Sequence, residues 1–340
     1  MNRRKRLIAA AIISMALCAV AASAGTRAIS FADTIKVILQ HILPGEFDFT
    51  KKISSAKAAI VWDLRLPRVI FAFLSGGALA LSGAVIQSML LNPLASPYIL
   101  GVSSGASLGA ALVMLGGISL SFAASFTLPF AGFLFALITV MAVAAFSSKL
   151  DKNMSNNTII LFGMVVSLFI NAVLTTLVAL FHEELRSLIF WQMGSFAGRS
   201  WLHLLHLAPF LIIGVLGLSR WTVELDLLAF GDEHARTAGV ETKTARRALL
   251  LFSTLLTGSV VALSGTIGFV DLIAPHAARR IIGPEHRAAL PMSFLIGGAL
   301  CVAADLAART LVSPSELPVG AITALIGAPF FVWVYFRRRG

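Results

Sequence analysis

The sequence of 340 residues is 58% hydrophobic and 13% charged. A soluble globular domain carries roughly 45–50% apolar and about 25% charged residues, so the composition excludes an ordinary soluble fold and indicates a membrane domain. The net charge of +11 does not favour nucleic-acid binding, because the basic residues lie at the ends of apolar stretches, where they suit membrane lipid headgroups. Cys18 and Cys301 lie inside apolar segments and show neither a disulfide nor a zinc pattern.

The N-terminus combines a basic stretch at residues 2–6 with an apolar run at residues 7–25. This arrangement is typical of a cleavable signal peptide, and Ala22-Ser23-Ala24 would suit cleavage. The run is also long enough to span a bilayer. We favour a retained first helix, and both alternatives place the following segment on the outer side.

Further apolar runs predict a single all-α integral membrane domain over residues 1–340, with about ten transmembrane helices. The predicted spans are 7–26, 66–90, 98–116, 121–146, 158–181, 203–219, 248–266, 267–282, 290–308 and 318–336. An outer loop at 27–65 and a cytoplasmic loop at 220–247 are the long connections. Two weakly similar segments, 80–101 and 262–283, allow an internal duplication or only a shared membrane-helix composition.

The distribution of basic residues predicts the orientation. With the N-terminus inside, 17 of the 27 Lys and Arg residues fall in inner segments, and the short loops follow the positive-inside rule. An even number of spans then places the C-terminus inside as well.

Arginine residues lie near the outer ends of two predicted spans. Arg65 and Arg68 flank Pro67, which suits a first helical turn, and a cation there opposes the helix dipole by about 0.3–1 kcal/mol. Headgroup anchoring or docking of an acidic partner would explain Arg68 equally well. Arg309 follows Asp305 by one turn, which favours a local ion pair.

Small residues recur at helix-packing spacing in the third predicted span. Gly101, Gly105 and Gly109 lie four residues apart. Such a face lets two helix backbones approach closely. Packing within the subunit is favoured over a dimer interface.

The 220–247 loop is longer than a turn requires. Gly231 breaks it, Asp232 and Glu233 open a short helix, Arg236 lies toward its end and Gly239 stops it. The apolar residues Leu227, Leu228 and Phe230 precede this helix. They favour docking of another protein over folding back against the membrane.

Catalytic and nucleotide-binding motifs are absent from the sequence, including a phosphate loop. His203 and His206 share a helix face, which would suit an intramembrane metalloenzyme, but a third ligand is lacking. Asp271 is the sole candidate for an ion-coupling site in a secondary transporter acting without an ATPase. We predict a transport protein that is not an enzyme and binds no metal or cofactor itself.

Several stretches match a known family in order along nearly the whole chain. They are 65–68 (RLPR), 82–87 (SGAVIQ), 92–97 (NPLASP), 101–107 (GVSSGAS), 228–240 (LAFGDEHARTAGV), 264–270 (SGTIGFV), 274–283 (APHAARRIIG) and 316–333 (ELPVGAITALIGAPFFVW). The chain resembles the permease family of bacterial ATP-binding-cassette (ABC) importers for iron–siderophores, haem and vitamin B12. It departs from the family at Asp271, where a small neutral residue is usual.

The resemblance implies a vitamin-B12-permease-like bundle in the bacterial cytoplasmic (inner) membrane. It implies a second permease subunit, two cytoplasmic ATPase subunits that use ATP and Mg, and an extracytoplasmic solute-binding protein. Arg65, Arg68 and Arg309 would receive acidic residues of that protein. Residues 231–239 would form the coupling helix that inserts into the ATPase. The fifth and tenth spans would lie near the solute path, and a ferric siderophore is the first choice of cargo.

Overall fold

The computed structural model describes residues 2–25, 29–43, 53–118, 124–151 and 153–337. Within these ranges the chain is helical or irregular and contains no β-strand, as the composition predicted. The helices are α1 (Arg3–Ser23), α2 (Phe31–Ile42), α3 (Ser55–Ala59), α4 (Leu66–Met89), α5 (Val102–Gly116), α6 (Ala124–Leu150), α7 (Asn156–Leu180), α8 (Arg186–Gln192), α9 (Trp201–Arg220), α10 (Thr222–Leu228), α11 (Asp232–Thr237), α12 (Thr242–Ser264), α13 (Val270–Ile282), α14 (His286–Thr310) and α15 (Val319–Arg337).

Each of the ten predicted spans coincides with one of these helices. Seven helices in the described part of the chain are long and apolar enough to cross a membrane: α1, the helix over Ser55–Met89, α6, α7, α9, α12 and α14. The helices α5, α13 and α15 are shorter. At 1.5 Å per residue, the 13 residues of α13 extend about 20 Å, less than a hydrocarbon core of about 30 Å. Ten spans and the N-in, C-in orientation therefore stay predictions.

Helix α4 is the centre of the bundle and is buried along most of its length. Its small residues allow this, since a Cβ on Gly76 would lie 2.2 Å from the Gly297 carbonyl oxygen of α14. Apolar side chains gain little by leaving lipid for protein, so close backbone approach stabilises such pairs. Helices α12 and α13 pack on other faces of α4, with Gly83 against the backbone of Asp271.

The glycine face of α5 lies against α6 of the same chain. A Cβ on Gly105 would meet the Thr139 hydroxyl at 2.4 Å, and one on Gly109 would meet the Ala131 carbonyl oxygen at 2.5 Å. Gly101 has a φ of 91° and joins the turn at 97–100 to α5. Only glycine adopts that backbone conformation readily.

Two expectations about local structure differ from the fold. The helix that contains Arg68 does not begin at Pro67, because helical backbone already runs from Ser55 through a π-helical stretch at Ile60–Arg65 into α4. The dipole at an exposed helix start therefore does not act on Arg68 as predicted. The segments 80–101 and 262–283 also differ in secondary structure, because the first ends α4 and continues as a loop while the second is mostly α13.

Candidate functional site

Helix α11 lies between two glycines with positive φ, Gly231 at 103° and Gly239 at 87°. A Cβ on either glycine would meet no other atom within 4 Å, so backbone conformation and not crowding requires glycine at both positions. Glu233 and Arg236 are exposed on this helix. Gly231 and Gly239 therefore bound α11 at the place where the sequence predicted a short helix.

The apolar residues before α11 divide into two groups. Phe230 is 75% exposed, while Leu228 is buried at 1% and Leu227 packs against the core. The prediction that Leu228 forms part of an exposed docking surface is therefore wrong. Helix α10 is amphipathic and packs on α4 and α14, which turns Leu225 and Leu228 inward and leaves Phe230 beyond its end.

Arg246 connects α11 to the loop that precedes α7. Its guanidinium is fully buried and donates to Asp232 Oδ1 (2.7 Å), to Asn156 Oδ1 (2.6 Å) and to the carbonyl oxygen of Met154. A buried guanidinium requires such acceptors, because an unpaired buried charge costs several kcal/mol. One side chain of α12 thus joins the first residue of α11 to the first residue of α7.

The loop that receives Arg246 is itself ordered by a carboxylate. Asp151 accepts hydrogen bonds from the backbone N–H groups of Asn153 (2.9 Å) and Ser155 (2.8 Å). Bonds from the side chain and backbone of Ser155 lower the pKa of Asp151 to about 2. The carboxylate therefore stays ionised at neutral pH and holds the turn before α7.

At the opposite end of the bundle, Arg68 forms two ion pairs within the chain. It bonds both oxygens of Asp305, with Nε at 3.0 Å and Nη2 at 2.8 Å from Oδ1, and both oxygens of Glu316 at 2.9 Å. These bonds lower the pKa of the Glu316 carboxyl. The pairing fixes α4 to α14 and to the loop before α15.

Arg65 and Arg309 bind the C-terminal end of α1. Arg65 donates to the carbonyl oxygens of Ala22 and Ser23, and Arg309 donates to those of Ala21 and Ala24. Both arginines are buried, at 7% and 6% exposure. Cations suit the last turn of a helix, whose carbonyls lack intrahelical partners. Arg309 also lies 3.4 Å from Asp305, in agreement with the predicted local ion pair.

These contacts bear on the docking prediction. All three arginines lie near one end of the bundle, but within this subunit each already has acceptors. Arg68, at 12% side-chain exposure, is the most exposed of the three. Docking by Arg65, Arg68 and Arg309 stays a prediction.

A polar cavity of about 300 Å³ lies beside α5 and α7. Its lining is rich in hydroxyl and amide groups and contains no charged side chain: Tyr98, Ser103, Ser104, Ser107, Ser167, Asn171, Gln192 and Thr266. Ser167 and Asn171 belong to α7, the fifth predicted span. The cavity can form hydrogen bonds with a polar solute but offers no fixed charge to retain it.

Asp271, His203 and His206 are not among the residues that line this cavity. Asp271 is buried at 1% and accepts a hydrogen bond from the Ser96 hydroxyl, where α13 meets the loop after α4. His203 bonds the Ser200 hydroxyl at 3.0 Å and His206 packs on Phe126. No group of three His, Cys, Asp or Glu side chains within the described ranges could hold a metal ion.

Comparison with known proteins identifies the family of this chain. The model of the FecCD transport family matches residues 11–337. The chain belongs to the FecCD transport family.

Relatives and a solved structure agree with this assignment. An uncharacterised ABC transporter permease protein of Bacillus subtilis, YvrB, is 42% identical over 82% of this chain and 79% of its own. The vitamin B12 import system permease protein BtuC of Vibrio cholerae is 37% identical over 89% of this chain and 91% of its own. A structure described as an inward-facing metal-chelate type ABC transporter superposes with a TM-score of 0.85 at 31% identity, covering 98% of this chain and 99% of that one.

Three features of this FecCD chain were missed by sequence reasoning. The sequence identifies Arg246 only as a basic loop residue, although it precedes Leu249 and Leu250 by three and four positions, a spacing that places it on their buried face of α12. Glu316 was recognised only as part of a family stretch, and no local pattern pairs it with Arg68. The polar cavity draws on four separate segments, so no sequence window reveals it.

Proposed function

We propose that this chain is the membrane-spanning subunit of an ABC importer that receives a metal–chelate complex, with a ferric siderophore as first choice. A solute-binding protein would deliver the cargo on the outer side. A separate ATPase would supply the energy from the cytoplasmic side. The FecCD match over residues 11–337 carries this proposal, because permeases of that family are the transport components of ABC systems.

The geometry at α11 supports an ATPase contact at that end. Phe230 presents an aromatic ring to solvent, and Glu233 and Arg236 add charges beside it. Interfaces commonly use such an exposed aromatic anchor with a polar surround. The glycines on both sides fix the ends of α11 without packing against the bundle.

The Arg246 contacts suggest how movement at α11 would reach the solute path. A displacement of α11 moves Asp232, and Arg246 couples that carboxylate to Asn156 at the start of α7. Helix α7 carries Ser167 and Asn171 of the polar cavity. ATP binding and hydrolysis in the partner would favour different arrangements of these contacts, which shifts the population between inward-open and outward-open states.

The polar cavity supports a cargo that is hydrophilic and leaves readily. Hydroxyl and amide groups exchange hydrogen bonds with a solute at little net cost, whereas a fixed charge would trap a counterion. BtuC of Vibrio cholerae is a vitamin B12 permease, and the superposed structure is of metal-chelate type. Both cargoes are metal–organic complexes. A second copy of this chain would complete the path, with haem and cobalamin as the other cargo candidates.

Assembly with the ATPase tests the proposal. The permease and the ABC ATPase proposed as its partner are co-expressed, and the ATPase that co-purifies is quantified for the wild type and for Phe230→Ala. Phe190→Ala is the matched control, because Phe190 is a phenylalanine that is 67% exposed on α8, outside the 220–247 loop. We expect Phe230→Ala to lower recovery of the ATPase and Phe190→Ala to leave it unchanged. Equal recovery for all three would overturn the coupling assignment.

Docking of the binding protein has its own test. Arg68→Glu should weaken the stimulation of ATP hydrolysis by the binding protein in the assembled complex. Because Arg68 also pairs with Asp305 and Glu316, Glu316→Gln serves as the control that disturbs the same cluster without reversing the arginine. Full stimulation of the Arg68→Glu complex would remove the docking role.

A further inference from the structure

A second and larger cavity of about 930 Å³ is an open, mainly apolar groove between α1, α9 and α14. Ile8, Ile212 and Leu216 line it and are each more than half exposed. In contrast to the polar cavity beside α7, this groove opens on the outer surface of the bundle. Neither the transport path nor the α11 contact uses it.

The polar residues of the groove are confined to one end. Ser219, Thr222, His286 and Arg287 line that end, and Leu211 and Leu295 line the other. The nine residues from Arg287 to Leu295 rise about 12 Å along α14. One leaflet of a hydrocarbon core is about 15 Å deep. The groove therefore matches the depth of one leaflet, with its polar end toward α10 and α11.

The charge at the polar end is positive. Arg287 is exposed, and no ion pair joins it to an acidic side chain among the residues that the structure describes. Two acids that neighbour His286 are already paired, since Asp226 binds His286 at 2.5 Å and Glu285 binds Arg3. Arg4, Lys5 and Arg220 are exposed and lie within three residues of lining positions. These bases favour an anion at the rim.

We propose that this groove binds an anionic phospholipid of the leaflet on the α11 side. An acyl chain would occupy the apolar part, and the phosphate would lie beside Arg287 with the hydroxyls of Ser219 and Thr222 near it. The confinement of polar groups to one end matches a lipid better than an apolar protein helix. A zwitterionic lipid fits the groove but gains less from the basic rim. Thr222 opens α10, so the headgroup would lie next to the segment that leads to α11.

The test is lipid retention by the full chain in detergent, measured by native mass spectrometry. The probes are palmitoyl-oleoyl phosphatidylglycerol and the phosphatidylcholine with the same acyl chains. Arg287→Gln should reduce phosphatidylglycerol binding about 5-fold, since one basic residue near an anionic surface contributes about 1 kcal/mol and 1.4 kcal/mol is tenfold. Phosphatidylcholine binding should stay unchanged.

Two further comparisons separate groove binding from general surface adhesion. Ile212→Trp fills the groove and should reduce binding of both lipids, whereas Leu205→Trp, on an exposed position of α9 outside the groove, should not. Arg247→Gln is the charge control, because Arg247 is exposed on α12 away from the groove. Equal binding of the two lipids, an Arg247→Gln effect as large as that of Arg287→Gln, or no retained lipid would overturn the proposal.

Discussion

The ion pair between Asp232 and Arg246 gives the sharpest prediction about energy transfer. Asp232→Ala removes the carboxylate that lies 2.7 Å from the guanidinium and leaves Arg246 buried with two neutral acceptors, on Asn156 and Met154. Removing one partner of a buried ion pair costs about 3–5 kcal/mol, because it leaves an uncompensated buried charge, so we expect a loss of that size in stability. Arg246→Met leaves no buried charge, since Asp232 is partly exposed, and should cost about 1–3 kcal/mol through the carbonyl of Met154 that loses its donor.

A double-mutant cycle isolates the pair. The free energy of unfolding is measured by SDS titration in mixed micelles for the wild type, both single variants and the double variant. Each single variant already breaks the contact between Asp232 and Arg246. The loss in free energy of unfolding of the double variant should therefore be about 1.5–3 kcal/mol smaller than the sum of the losses of the two single variants. Losses that add within about 0.5 kcal/mol would refute the inference that Asp232 and Arg246 interact in the folded protein.

The same variants test coupling. In proteoliposomes that contain the complete transporter, Asp232→Ala should keep ATPase binding, because Phe230 and Glu233 are unchanged, but should lower the cargo moved per ATP hydrolysed. Asp232→Asn is the matched control that retains an acceptor oxygen. Its ratio of cargo moved to ATP hydrolysed should lie between those of the wild type and Asp232→Ala. An unchanged transport ratio in Asp232→Ala would show that α11 transmits its movement through other contacts.

Three further predictions concern the bundle itself. Asp305→Asn removes the buried partner of Arg68 and should lower stability by about 3–5 kcal/mol, measured by SDS titration. Gly105→Val forces side-chain atoms into a hydroxyl and a carbonyl of α6 and should cost about 1–3 kcal/mol. Gly268→Ala is its control and should cost less than about 1 kcal/mol, because the added Cβ would meet no other atom within 4 Å. Glu316→Gln should lower the thermal midpoint near neutral pH. Because its carboxyl has a lowered pKa in the folded protein, the difference from wild type should shrink as the pH falls below about 4.

The sequence predicted the helices well because apolar runs of about 20 residues have few alternatives in a membrane. The prediction was weaker for short helices that are held in place by packing against other helices. Helix α13 contains the charged residues Asp271, Arg279 and Arg280 in 13 residues, and its position depends on close contact with α4 at Gly83. No periodicity within α13 indicates that contact.

The candidate site was predictable where local rules act and not where distant residues meet. Gly231 and Gly239 bound α11 because backbone conformation is a local property. Leu228 and Phe230 are equally apolar, yet only the packing of α10 shows that the first is buried and the second exposed. The partner of Arg68 at Glu316 is 248 residues away, which no local pattern reveals.

Uptake into proteoliposomes tests the central claim most directly. The purified chain is reconstituted alone or with its ATPase and binding protein, and entry of a labelled ferric siderophore is followed with ATP, with a proton gradient or with a sodium gradient. The account predicts uptake only when ATP, the ATPase and the binding protein are all present. Uptake by the chain alone, driven by either ion gradient and abolished by Asp271→Asn, would contradict it and identify an ion-coupled transporter.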